Sequence, residues 1–135
     1  MANKKSLVGT KTETNLANSY VAESCAYSRY TYFANTAQKE KYFHYANIFN
    51  ETADNELRHA KVYLKLLTEG GVNTSSLTID PGILSPTVDT LAIASHEEEV
   101  EGVEMYTEAA KVADEEGFAD IADVFRAIAS IEMHH

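Results

Sequence analysis

Displaced by 76 residues, the sequence falls onto itself: Ala46, Phe49, Ala53, Glu56 and His59 land on Ala122, Phe125, Ala129, Glu132 and His135. Glu40 and Tyr42 likewise land on Glu116 and Phe118. The repeated residues are spaced by three and four, the period of one face of a helix. The duplicated unit is therefore a helix pair, with a pseudo-twofold axis between the copies. Four helices follow, predicted at about 12–38 (α1), 41–68 (α2), 87–115 (α3) and 118 to the end (α4). Gly70-Gly71 stops α2, Pro86 suits the first turn of α3, and Gly117 separates α3 from α4. Lys41 stands where the second copy has Gly117, so the α1–α2 turn lacks its glycine.

Each helix has an inward stripe with the alternating steps that a bundle seam requires. The stripes read Leu16, Tyr20, Glu23, Tyr27, Tyr30, Ala34 and Ala37 in α1, and Tyr45, Phe49, Thr52, Glu56, His59, Tyr63 and Leu66 in α2. In α3 they read Leu91, Ala94, Glu98, Glu101, Met105, Ala109 and Val112, and in α4 Ile121, Phe125, Ile128, Glu132 and His135. The segment between α2 and α3, "GGVNTSSLTIDPGILSP", is too long for a hairpin and long enough to run the height of a bundle. The expectation is an all-α, ferritin-like four-helix bundle in which a long crossover makes α2 and α3 parallel neighbours.

The seams carry acid into the core. Glu23, Glu56, Glu98, Glu101 and Glu132 all point inward, and two of the helices add a histidine three residues after a glutamate. Five carboxylates cannot share a dry core unless positive charge offsets them or they take up protons. Two divalent ions supply that charge, and carboxylates with a few imidazoles suit iron or manganese, alone or mixed. A single Glu-x-x-His is weak, since about one match is expected by accident in such a composition. Two copies at equivalent seam positions, with Glu23 and Glu98 on partner seams, form a strong signal, matched here to the known di-iron carboxylate constellation. His44, His96 and His134, and Glu97, Glu99 and Glu104, fall off the seams and read as solvated.

The formal charge of −10 argues against a nucleic-acid backbone or an anionic membrane as partner. The single cysteine, Cys25, allows no internal disulfide and no four-cysteine metal site, and reads as a small half-buried apolar residue. The N-terminus has basic residues but no apolar h-region, and no apolar run approaches membrane-spanning length, so the expected location is cytoplasmic.

The stretches "ESCAYSRYTYFA", "IFNETADNELRHAK", "EEVEGVEMY" and "EEGFADIADVF…IEMHH" closely resemble the rubrerythrin family, and the resemblance runs from about Leu7 to the end. It implies two iron ions, cycling between Fe2+ and Fe3+ and oxo-bridged when oxidised, that reduce hydrogen peroxide to water in defence against oxidative stress. By resemblance Glu56 and Glu132 are the bridging carboxylates and Glu23 a terminal ligand of the first iron, with Glu98 and His135 the terminal ligands of the second. Glu101 ligates the first iron in the oxidised state and His59 replaces it on reduction, which makes this pair the implied catalytic residues. Tyr30 and Tyr106 match tyrosines that hydrogen-bond to ligand carboxylates, with plain core aromatics as the alternative reading.

Family members commonly add a C-terminal rubredoxin-like domain with two Cys-x-x-Cys pairs. This sequence has neither pair and stops on His135, so residues 1–135 read as the di-iron domain alone, a shortened chain. Electrons then come from an external donor such as rubredoxin. A homodimer or higher homo-oligomer is expected, and the long α2–α3 segment permits domain swapping. Two rival readings stay open: a ferritin-like ferroxidase that binds and deposits iron, which extra iron per subunit would favour, and an empty oligomerisation bundle, which metal analysis separates.

Overall fold

A computed structural model describes residues 5–77 and 91–133, with side chains described over 5–77 and 103–131. Four helices appear in the expected order: α1 (Lys11–Lys39), α2 (Phe43–Glu69), α3 (Leu91–Glu115) and α4 (Ala119–Met133). There is no strand among the described residues. The first predicted turn of α3 and the last two residues of α4 lie outside them.

The start of α1 is fixed twice over. The Thr10 hydroxyl accepts from the Glu13 N–H at 3.0 Å and donates to the Leu7 carbonyl at 2.7 Å, a side-chain cap at the helix N-terminus. The second anchor comes from the far end of the molecule. The Glu116 carboxylate, at the α3–α4 turn, accepts from the Lys11 N–H (3.1 Å), the Thr12 N–H (2.7 Å) and the Thr12 hydroxyl (2.6 Å). A negative charge on three donors at a helix N-terminus is favourable both as a cap and against the helix dipole. Lys5 closes the clasp, donating to the Glu116 carbonyl while its ammonium lies 4.9 Å from the centre of the Phe118 ring.

Partial burial pushes the Glu116 carboxyl up, but the bonds from Thr12 and Lys11 and the Lys11 charge outweigh it and hold the group below the ordinary carboxylate range. A lowered folded-state value means that the contribution is complete above the unfolded value and is lost as pH falls through the folded one. Glu116→Ala is therefore expected to cost about 1–2 kcal/mol at neutral pH. The deficit should shrink as pH falls through the folded-state value of that carboxyl. Urea unfolding of both proteins at neutral and at acid pH checks the sign.

The repeat extends to the turns. Tyr42 N–H bonds to the Ala37 carbonyl at 2.8 Å and Lys41 N–H to Gln38 at 3.1 Å; 76 residues on, Phe118 bonds to Ala113 at 2.8 Å and Gly117 to Asp114 at 3.1 Å. Both are Schellman closures, which need one residue in the left-handed region. Gly117 supplies it at φ 87°, and Lys41 is forced into it at φ 67°. The missing glycine did not change the turn; it left the turn strained. Lys41→Gly relieves a left-handed cost of about 1–2 kcal/mol at the expense of about 0.5–1 kcal/mol of chain entropy. The expected result is a gain of roughly 0.5–1 kcal/mol in a denaturant titration.

Helix direction follows from contacts at one end. The Leu7 N–H bonds to the Gly70 carbonyl at 3.0 Å, so α1 begins where α2 ends. Glu116 on Thr12 places the end of α3 there as well. Thus α2 and α3 both finish at the same end and run parallel. α3 alone, 25 residues long, measures about 37 Å at 1.5 Å per residue. The end of α2 and the start of α3 therefore lie at opposite ends of the bundle, in keeping with the crossover expectation; residues 78–90 between them lie outside the described residues.

α1 packs along α2 and α3 along α4, while α1 also meets α3. The core joins Leu7, Leu16, Tyr63 and Leu67 to Tyr106, Ala113, Ile121, Phe125 and Ile128 across the pseudo-twofold axis. One seam position differs from expectation. Tyr45 is 59% exposed, and Ala46 takes the inward place beside it. The end of the hairpin buries small residues, Ala34, Ala37, Ala46 and Ala53, which lets α1 and α2 approach closely and leaves no room for a ring. With Tyr42, Phe43, Tyr45 and Ile48 crowded into the first turns of α2, apolar periodicity could not separate the inner face from the outer.

Candidate metal centre

Glu23 comes from the middle of α1, and Glu56 with His59 from the middle of α2, where the seams bring the two helices face to face. All three side chains are buried. Each offers one oxygen or nitrogen such that the three atoms lie within 4.8 Å of one another. The His59 Nδ1 is 3.6 Å from the Glu23 Oε2.

Atoms on opposite sides of one divalent ion sit about 4.2 Å apart when each bond is about 2.1 Å. A 4.8 Å cluster closes on such an ion with shifts of a few tenths of an ångström. Two carboxylates and one imidazole are also a donor set suited to iron or manganese. Two carboxylates buried beside one imidazole call for positive charge or for protons, so geometry and charge both fit a metal ion.

Glu23 is held from a third helix. The Tyr106 hydroxyl of α3 donates to Glu23 Oε1. Burial above all, then the neighbouring Tyr63 and Glu23, pushes the Tyr106 phenol well above the ordinary tyrosine range. The group therefore stays protonated and remains a donor. The Tyr106 ring also lies stacked 6.1 Å from Phe125. Tyr30 is half-buried, with its ring stacked 6.2 Å from Phe49 and edge-on to Phe33 at 6.3 Å.

Glu98, Glu101 and Glu132 lie on the described backbone of α3 and α4, but their side chains fall outside the described residues, as does the whole of His135. His44 and Glu104 are exposed, and Cys25 is half-buried, as expected. His96, Glu97, Glu99 and His134 fall outside the described side chains. Tyr63, marked by periodicity as a core residue, is one: it is wholly buried with its ring 5.7 Å from that of Tyr106.

The sequence model of the rubrerythrin family matches residues 14–135. The chain belongs to the rubrerythrin family. It is 43% identical to Rubrerythrin-1 of Clostridium acetobutylicum over 135 residues, which cover 97% of this chain and 69% of that one. It is 43% identical to a rubrerythrin of Porphyromonas gingivalis, covering 97% and 65%, and 40% identical to a rubrerythrin of Nitratidesulfovibrio vulgaris, covering 97% and 68%. The chain thus spans about two thirds of the length of these rubrerythrins, 65–69%. Family membership accords with the all-α ferritin-like bundle described above.

Proposed function

We propose that this chain is the di-iron domain of a non-haem peroxidase that reduces hydrogen peroxide to water in defence against oxidative stress. The observation that carries the reading is the buried convergence of Glu23, Glu56 and His59 in a member of the rubrerythrin family. Bound iron supplies one electron from each of two ions to the peroxide, and two protons complete two waters. Glu56 and Glu132 would bridge the metals, Glu23 would hold the first, and Glu98 with His135 the second. Glu101 and His59 would alternate on the first metal, an anionic carboxylate favouring the more highly charged oxidised ion and a neutral imidazole tolerating the reduced one. His59 already faces Glu23 across 3.6 Å, which suits its reduced-state role. The surrounding rings of Tyr63, Tyr106 and Phe125 keep water from this side of the cluster. Tyr106 holds Glu23 by donating to its Oε1.

An external donor such as rubredoxin would return the electrons. The working form would be a cytoplasmic homodimer or higher homo-oligomer, and a manganese or mixed pair would satisfy the same donors. No helix among the described residues is long and apolar enough to cross a membrane. Stopped-flow mixing of the anaerobically reduced, iron-loaded protein with peroxide and, separately, with O2 tests the reading. Peroxide should oxidise the site much faster than O2 does and much faster than it oxidises free Fe(II). Preference for O2 with iron accumulating beyond two ions per chain would instead establish the ferroxidase reading.

A further inference from the structure

The outer face of α1 carries a stripe that the reading above leaves without a function. Arg29, Tyr32, Thr36 and Lys39 follow one another at steps of three, four and three, so they share one face of the helix. Tyr32 is 69% exposed, Thr36 and Lys39 are exposed and Arg29 is half-buried, so that face meets solvent. Residues 24–50 hold three cations, Arg29, Lys39 and Lys41, against one acid, Glu40; the other twenty of the 21 acids lie elsewhere, in a chain of formal charge −10. An acidic partner is therefore repelled by most of the chain and attracted here. Arginine and tyrosine are also residue types that interfaces favour. Beneath Tyr32 the rings lead inward. Its centre is 6.2 Å from that of Phe33, which lies 5.8 Å from Phe49 and 6.3 Å from Tyr30. Tyr30 stands seven residues after Glu23 and Phe49 seven before Glu56, each on the same face of its helix as that acid and about 10 Å from it along the axis.

We propose that this stripe is the docking surface for an acidic one-electron carrier protein, seated over the Phe33, Tyr30 and Phe49 rings on the side of the metal cluster nearest the α1–α2 turn. The inference deepens the peroxidase reading, which needs an external donor, and rests on it. Electron transfer weakens steeply with distance, so a donor must seat where packed side chains, rather than bulk water, lie between it and the metals. At each docking one electron leaves the carrier and reduces one ferric ion to ferrous. No bond forms or breaks, the rings give up no proton, and two dockings restore the two electrons that one peroxide consumes. The stripe suits a carrier better than a second copy of this chain. It is about 15 Å long, on the scale of the small, transient interfaces of redox partners. A twofold pairing of copies would also set its cations against themselves.

The test uses the full chain and, as probe, a rubredoxin of net negative charge. Its oxidised form is titrated onto the metal-free chain by calorimetry. Its reduced form is mixed anaerobically with the oxidised, iron-loaded chain in a stopped flow. Arg29→Gln/Lys39→Gln removes two charges from the stripe. Affinity and second-order rate should both fall about 10-fold at low ionic strength, the lower end of electrostatic effects on encounter. The difference should fade as salt approaches ~1 M, where screening acts within about 3 Å. Tyr32→Ala, at the middle of the stripe, should cost at least about 5-fold in affinity. Lys65→Gln/Lys111→Gln makes the same change of net charge at exposed positions outside the stripe and should change neither quantity appreciably. Unaltered affinity in the stripe variants, equal losses in the control pair, or a parent that does not bind the carrier would each overturn the proposal. So would a parent oligomer, seen by sedimentation, that the stripe variants dissociate, because the stripe would then be a contact between copies. Melting of the metal-free variants within a few degrees of the parent confirms that docking, not folding, is being read. Failure of the loaded site to react with peroxide refutes the peroxidase reading itself, and the metal-free titration still reports on docking, so the two failures are distinguishable.

Discussion

Glu56→Gln should leave the metal-free protein more heat-stable than the parent and almost unable to hold a metal pair. The two effects have opposite signs and one cause. Glu56, Glu23 and His59 place their ligand atoms within 4.8 Å in a buried site, where charges interact strongly and solvent screens them little. Glutamine keeps the shape and removes one negative charge, so no cavity opens and the repulsion with Glu23 disappears. The gain in the metal-free state is expected to be about 1–2 kcal/mol, or roughly 4–8 °C in melting temperature for a chain of this size. The loss in the loaded state is much larger. A neutral amide is a poor ligand, and on the proposed reading Glu56 would hold both metals, so Fe(II) affinity should fall by more than the ~100-fold upper value for outer partners. Melting curves with chelator and with excess Fe(II) show both at once: the parent should gain strongly from metal by mass action, the variant hardly at all. A metal-free variant that melts below the parent would show that Glu56 is held by favourable interactions rather than by repulsion awaiting a cation.

The sequence carried the architecture because the architecture is periodic. Apolar residues and acids at three- and four-residue steps define the seams, and duplication at 76 residues repeated the signal. Glu23, Glu56 and His59 were legible for the same reason: an acid on a seam is costly unless something waits for it. What stayed hidden depends on side chains that meet by tertiary approach. Glu116 binds the start of α1, over a hundred residues away in sequence, and nothing in its neighbourhood marks it as a cap. Tyr45 and Ala46 are adjacent and both apolar, so the tightness of the α1–α2 approach decided between them. Lys41 read correctly as a poor residue for its turn, yet the turn formed regardless, because the five-residue closure from Tyr42 to Ala37 and the packing on either side outweigh one strained residue.

The pair Gly70-Gly71 shows the same divide, and it carries the second large prediction. Sequence assigns both glycines to stopping α2. The structure gives them different work: Gly71, at φ 83°, takes the left-handed position, whereas Gly70, at φ −81°, has an ordinary backbone. Gly70 is needed for space. A Cβ built there would lie 2.2 Å from Leu7 Cδ1, 2.5 Å from Cγ and 2.9 Å from Cβ. Leu7 is 1% exposed and its N–H is bonded to the Gly70 carbonyl, so it cannot retreat without breaking that bond and leaving the core. Expelling a buried leucine costs about 1.5–3 kcal/mol, and the alternative of overpacking costs about 1–3 kcal/mol. Gly70→Ala should therefore destabilise by roughly 3 kcal/mol and lower the melting temperature by roughly 10 °C. Gly71→Ala, with no atom near its added Cβ, should lose only the left-handed cost of about 1–2 kcal/mol. Truncating the partner separates the two mechanisms. In a Leu7→Ala background, itself weakened by about 2–4 kcal/mol, the two nearest atoms are gone and only the Leu7 Cβ at 2.9 Å remains, so Gly70→Ala should cost clearly less than it does in the parent, whereas the Gly71→Ala penalty should persist unchanged. Additive losses for Gly70→Ala and Leu7→Ala would mean that the N-terminal segment does not pack over the end of α2 as described.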